Sequence, residues 1–143
     1  MANKRFLMGI LVMTLVFGMA LVGCDDGLTS KTDPALNGTW VSGAEEYKFN
    51  NGSFEFSDRS PCMKGTFTTS NNSMTMTITQ IYSGYPGFNF EDKTKWYSKA
   101  DLKGYVPDEE LDNFFTPKTG TYSISGNNLT LNGFWFIGTF TKK

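Results

Sequence analysis

From Trp40 to the last residues of the chain, apolar and polar side chains alternate with a period of two. Met74-Thr75-Met76-Thr77-Ile78-Thr79 sets three apolar groups on one face and three threonines on the other. Tyr47 and Phe49 alternate with Glu46 and Lys48, Phe54 and Phe56 with Glu55 and Ser57, Tyr122 and Ile124 with Ser123, and Leu129 and Leu131 with Thr130. Successive side chains of a strand point to opposite faces, so this pattern builds sheets with one buried and one wet face. Turn residues fall between the runs: Asn50-Asn51-Gly52, Ser70-Asn71-Asn72, Gly126-Asn127 and Asn132-Gly133. Connections this short join neighbouring antiparallel strands. The spacing predicts an all-β antiparallel meander of about eight strands, near 38–42, 45–50, 53–58, 64–70, 73–81, 118–125, 128–132 and 134–141.

One hairpin design occurs twice. Gly65-Thr66-Phe67 through Met76 lines up with Gly120-Thr121-Tyr122 through Leu131, and Gly-Thr-aromatic recurs at Gly38-Thr39-Trp40 and Gly138-Thr139-Phe140. The copies are too few for a solenoid, so the repeat reads as one hairpin reused within one sheet. Between Tyr82 and Pro117 the alternation stops, and those 36 residues hold nine aromatics. Pro107 followed by Asp108, Glu109 and Glu110 predicts a short helix to Phe115, because proline suits a first turn and acids suit the positive end of the helix dipole. A structureless loop of this length is unusual in a compact domain, so part of 85–98 is expected to add strand.

The first two dozen residues are of another kind. Lys4 and Arg5 precede 18 uncharged residues, Phe6 to Gly23, the pattern of an export signal. A run of that length can also just cross a bilayer, so a retained transmembrane anchor with a structural cysteine is the alternative. The run ends in Leu21-Val22-Gly23-Cys24. This resembles the lipobox of bacterial lipoproteins, which implies cleavage before Cys24 and acyl chains, palmitate among them, on that residue. The resemblance places the protein in the bacterial cell envelope, membrane-bound through the lipid on Cys24. Residues 1–23 are then the signal peptide, and the polar, aperiodic residues 24–35 a tether. Burying each lipid CH₂ contributes about 0.8 kcal/mol, so two or three chains hold where one does not.

The mature part carries 11 bases against 14 acids and has no basic stripe, which argues against nucleic acid as a partner. With Cys24 acylated, Cys62 is the only remaining thiol, so no internal disulfide can form. A lone cysteine of this kind is expected to be buried.

Gly38-Thr39-Trp40 opening a meander, the Gly-Thr-Tyr hairpin at 120–131, and the closing Gly138-Thr139-Phe140-Thr141-Lys142 resemble the lipocalin-like domains of small bacterial lipoproteins. The resemblance covers residues 36–143 and implies a small closed barrel with the helix in its long insertion. It also implies that the tryptophan closes one end while the other admits a small apolar ligand. Lipocalins set an arginine near the last strand over that tryptophan. The mature chain has only Arg59, far upstream, so Lys142 would take that place.

Little else in the sequence carries chemistry. The chain has no histidine, which removes Ser-His-Asp and Cys-His pairs and the commonest zinc ligand. Asp108, Glu110 and Asp112 have the alternate spacing of a calcium loop, but Asn113 stands where glycine is needed and Thr119 where glutamate is needed. No enzyme, cofactor or metal is expected. The aromatic insertion remains. Either Trp40, Tyr85, Phe88, Trp96, Tyr97 and Phe115 line a site for a small hydrophobic ligand, or the rings fill the barrel and the domain works as a surface interaction or inhibitor module with a protein partner.

Overall fold

A computed structural model describes residues 31–83, 92 and 94–143. Among these residues nine strands form one antiparallel sheet: β1 Gly38–Ser42, β2 Glu45–Asn50, β3 Ser53–Asp58, β4 Ser60–Ser70, β5 Ser73–Tyr82, β6 Trp96–Ser98, β7 Lys118–Ser125, β8 Asn128–Asn132 and β9 Gly138–Lys142. Two helices, α1 Lys99–Leu102 and α2 Asp108–Phe115, lie between β6 and β7, and a 3-10 turn at Pro34–Leu36 precedes β1. The sheet order β4-β3-β2-β1-β9-β8-β7-β5 returns to β4, which closes an eight-stranded barrel and leaves β6 outside it, paired to the end of β5.

Most of this follows the predicted hairpins. Asn51 and Gly52 take φ of 43° and 88°, the left-handed pair a two-residue turn needs, and they join β2 to β3 in register from Asn50↔Ser53 to Glu45↔Asp58. The inward residues Tyr47, Phe49, Phe54, Phe56, Met74, Met76, Ile78, Leu129 and Leu131 are each at most 2% exposed. Strand β6 is the extra strand expected within 85–98, and α2 occupies the predicted helix, with Asp108, Glu109 and Glu110 in its first turn.

The last strand differs from expectation. It begins at Gly138 rather than 134, because Phe134, Trp135, Phe136 and Ile137 form a loop that sets Phe134 in the core cluster and packs Trp135 and Phe136 against it. Four successive apolar residues carry no period-two signal, so nothing local separated loop from strand.

Two bulges bend the barrel. At the first, Phe56 pairs with Met63 and Ser57 with Pro61, so Cys62 is the extra residue and is buried beside Met63. Its thiol donates weakly to the Ser60 carbonyl at 3.4 Å, and burial pushes its pKa up. At the second, Lys64 pairs with Gln80 and Gly65 with Ile78. Thr79 is the extra residue there, and its hydroxyl donates to the Lys64 carbonyl at 3.2 Å.

The repeated Gly-Thr-aromatic hairpin has a steric reason. A Cβ on Gly65 would sit 1.9 Å from the Thr77 carbonyl oxygen and 2.9 Å from the Phe54 ring. One on Gly120 would sit 2.2 Å from the Asn132 carbonyl oxygen and 2.8 Å from the Phe134 ring. In both copies a neighbouring strand and an aromatic ring close over bare backbone.

The two barrel ends are unlike. The near end holds the turns at Asn51-Gly52, Asn71-Asn72 and Gly126-Asn127, together with Lys143. The far end holds the turn at Gly43-Ala44, Arg59, the 133–137 loop and the insertion after β5. Residues 31–36, most of them expected in the tether, are laid across the near end. The Lys31 carbonyl accepts from the Thr69 amide at 2.8 Å, and the Asp33 amide donates to Thr69 Oγ1 at 2.8 Å. Tyr122 donates its hydroxyl to Asp33 Oδ2 at 2.9 Å, and Leu36 is fully buried.

Gly65→Ala should lower unfolding free energy by about 1–3 kcal/mol, the usual cost of forcing atoms into a filled space. Gly43→Ala, at φ +62° with nothing within 4 Å, should cost only the roughly 1 kcal/mol of left-handed backbone. Urea midpoints of the two variants test the order, and it fails if Gly43→Ala is the more damaging.

Candidate functional site

The residues expected to form a ligand site fall in three separate places, and two lie outside the described residues. Trp40 is fully buried at the near end. Its Nε1 donates to the Leu36 carbonyl at 2.7 Å, so its one polar atom is bound by the chain itself. Lys142, its partner in the β1–β9 register, holds Nζ 5.0 Å from the Trp40 ring centroid, the contact expected of that lysine. Phe115, at the end of α2, is half-buried and packs against the core from the insertion. Trp96 and Tyr97 lie on β6, on the flank of the barrel. Tyr85 and Phe88 are among the residues not described.

On that flank the rings meet lysines. Lys64 follows inward-facing Met63 on β4 and so points outward, and its Nζ lies 4.5 Å from the Trp96 ring centroid. Tyr82 meets Trp96 edge-on at 5.2 Å, and Lys95 lies 5.2 Å from the Tyr97 ring. At the far end Lys118 stands 5.7 Å from Trp135. Cation–π contacts of this exposure contribute about 0.5–1 kcal/mol each, enough to set a side chain's orientation. Helix α1 is held beside β6 by a capping box in which the Ser98 amide and hydroxyl both donate to Asp101 Oδ2. These bonds hold the Asp101 carboxyl below the usual range. A depression of about 530 Å³ lies at Lys103–Asp108. Among the described residues a single turn lines it, with no opposing wall to orient a ligand.

Inside the barrel are rings that alternation had placed there but that were not singled out as a site. Phe136 stacks on Phe56 at 4.0 Å, Phe56 meets Tyr47 at 4.7 Å, Tyr47 stacks on Phe49 at 5.4 Å, and Phe49 meets Phe67 edge-on at 5.1 Å. Phe140 reaches Tyr47 from β9, edge-on at 5.2 Å. A continuous path of rings thus runs from the far-end loop to β4. Offset and edge-on pairs at these separations contribute about 0.5–1.5 kcal/mol each beyond area burial.

Tyr47 breaks the apolar pattern. It is 1% exposed, and its hydroxyl has no hydrogen-bond partner among the described residues. Burial first, and the Glu45 carboxylate second, push its pKa well above the ordinary 10. Sequence could not mark this residue, because Tyr and Phe serve equally at an inward position and only the finished packing shows whether the oxygen finds a partner. Among the described residues no group of three or more acids and cysteines is arranged to hold a metal ion.

Comparison with protein-family models, with curated proteins and with solved structures gave no match.

An orphaned phenol costs about 1–3 kcal/mol in desolvation, so Tyr47→Phe should leave stability unchanged or raise it. The phenolate form is disfavoured in the folded state. Its contribution is therefore intact below pH 10 and lost as pH climbs toward the raised folded value. Tyrosinate absorbance at 295 nm should rise late for Tyr47 and for Tyr122, which burial and then Asp33 also push up. Tyr47→Phe should remove part of that late phase. A loss of more than about 1 kcal/mol in the variant would reveal a hydrogen bond to the hydroxyl.

Proposed function

We propose that this chain is a lipid-anchored protein of the bacterial cell envelope whose barrel is a solid platform, and that it acts by binding a macromolecular partner on its outer surface. The lipobox-like Leu21-Val22-Gly23-Cys24 supports the anchor; it lies outside the described residues. The path of rings from Phe136 to Phe67 carries the platform reading, because centroids 4.0–5.4 Å apart leave no room for another molecule between them. Eight-stranded barrels are just wide enough for side chains to fill. The closed barrel and the seat of Lys142 over Trp40 support a likeness to lipocalin-like lipoproteins.

The second reading keeps a small hydrophobic ligand inside the barrel, and one observation favours it. The Tyr47 hydroxyl is the kind of lone polar group that fixes an apolar ligand's orientation. On that reading the far-end loop and the insertion would have to part for the ligand to enter.

Cys24→Ser should move the protein from the membrane fraction to the soluble fraction; a variant that stays with membranes carries a transmembrane anchor instead. Native mass spectrometry of the protein from its own host should give the polypeptide with its acyl chains and no small molecule bound. An additional bound mass that Tyr47→Phe abolishes would replace the platform with the ligand carrier.

A further inference from the structure

We infer that the barrel stands end-on at its membrane, with the near end against anionic lipid headgroups and the far end facing outward. The inference rests on the acylation of Cys24 proposed above. Where the chain leaves the domain is fixed by hydrogen bonds. Lys31 is bound to Thr69, Asp33 to Thr69 and Tyr122, and Trp40 to Leu36, so residues 31–36 cannot swing to another side without breaking four contacts. Seven residue steps separate Lys31 from Cys24, and a fully extended chain of that length spans about 25 Å. The lipid therefore attaches within that reach of the near end.

Charge selects the same orientation. Lys31, Lys142 and Lys143 are exposed around the chain's exit, Lys143 paired with Glu46 at 3.4 Å and Asp33 half-buried beside them, with the polar turn residues Asn51, Asn71 and Asn127 also exposed. Among the described residues the insertion, which departs from the far end, exposes six acids against three lysines, Lys95, Lys99 and Lys103, and Arg59 is exposed at the same end, so that end stays net negative. An anionic bilayer attracts the first set and repels the second within a Debye length. Lying on the flank that carries β6 would bring those acids toward the lipid. The far end then presents Ile137 at 64% exposure, and the insertion Tyr105 at 82%, to whatever approaches from outside.

The test uses the acylated protein, isolated from its host, in nanodiscs of phosphatidylcholine and phosphatidylglycerol doped with a gadolinium-chelating lipid headgroup. Backbone amides of Asn51, Asn72 and Asn127 should broaden at least threefold more than those of Ala44, Arg59 and Ile137. Equal broadening at the two ends, or the reverse order, in protein that co-elutes with the discs overturns the orientation and leaves the anchor standing. Failure of the protein to co-elute overturns the anchor and the orientation together. Raising the phosphatidylcholine fraction to unity should shrink the contrast between the ends, and an unchanged contrast overturns the electrostatic part.

Discussion

Closing the sheet on itself demands that backbones cross where ordinary side chains would collide, and the barrel depends on meeting that demand. It does so where Gly65 and Gly120 lie against neighbouring strands, each covered by an aromatic ring, Phe54 on one and Phe134 on the other. The bulges at Cys62 and Thr79 supply the added twist. With these in place β5 pairs with β4 along one edge and with β7 along the other, which closes the barrel, and among the described residues the sheet ends at the short β6 outside it. Three residues of strand beside Lys95 make a poor template for edge-to-edge association.

Once the barrel is closed, its interior volume is fixed, and the residues that alternation sends inward must share it. They are mostly large: Trp40, Tyr47, Phe49, Phe54, Phe56, Phe67 and Phe140, with methionines among them. Methionine's unbranched chain suits the irregular gaps between rings. The ends are covered by different residues. At the near end the 3-10 turn sets Leu36 and the Trp40 hydrogen bond across the opening, and at the far end Phe136 stacks down onto Phe56. One end is thereby joined to the segment that leads to Cys24, and the other carries the loops whose outer faces meet solvent.

Strand positions were legible because each hairpin is a local object. Alternation gives the inward face and a turn pair gives the reversal, Asn51-Gly52 between β2 and β3, Asn71-Asn72 between β4 and β5, and Gly126-Asn127 between β7 and β8. The register of Lys142 opposite Trp40 could be expected only through a family likeness, since it joins the first strand to the last. Phe134 to Ile137 defeated the strand prediction because a run of apolar residues can pair or can cap. What decides is whether a ring such as Phe56 lies open beneath it. Trp96 illustrates the limit for the candidate site. Its aromatic surroundings in sequence suggested a barrel mouth, but β6 pairs outside the barrel, and the ring meets Lys64 and Tyr82 on the flank instead.

By itself the sequence determined the all-β class, the hairpins and their inward faces, because those depend on φ, ψ and side-chain polarity over stretches of a few residues. It determined equally that acid–base chemistry through histidine is absent from this chain. Only the tertiary structure decided that the inward rings touch one another, that the Tyr47 hydroxyl is left without a partner among the described residues, and that residues 31–36 close the near end. These depend on distances between strands far apart in the chain. Such distances are set by the strand number and stagger of the closed barrel, which no local run of residues encodes.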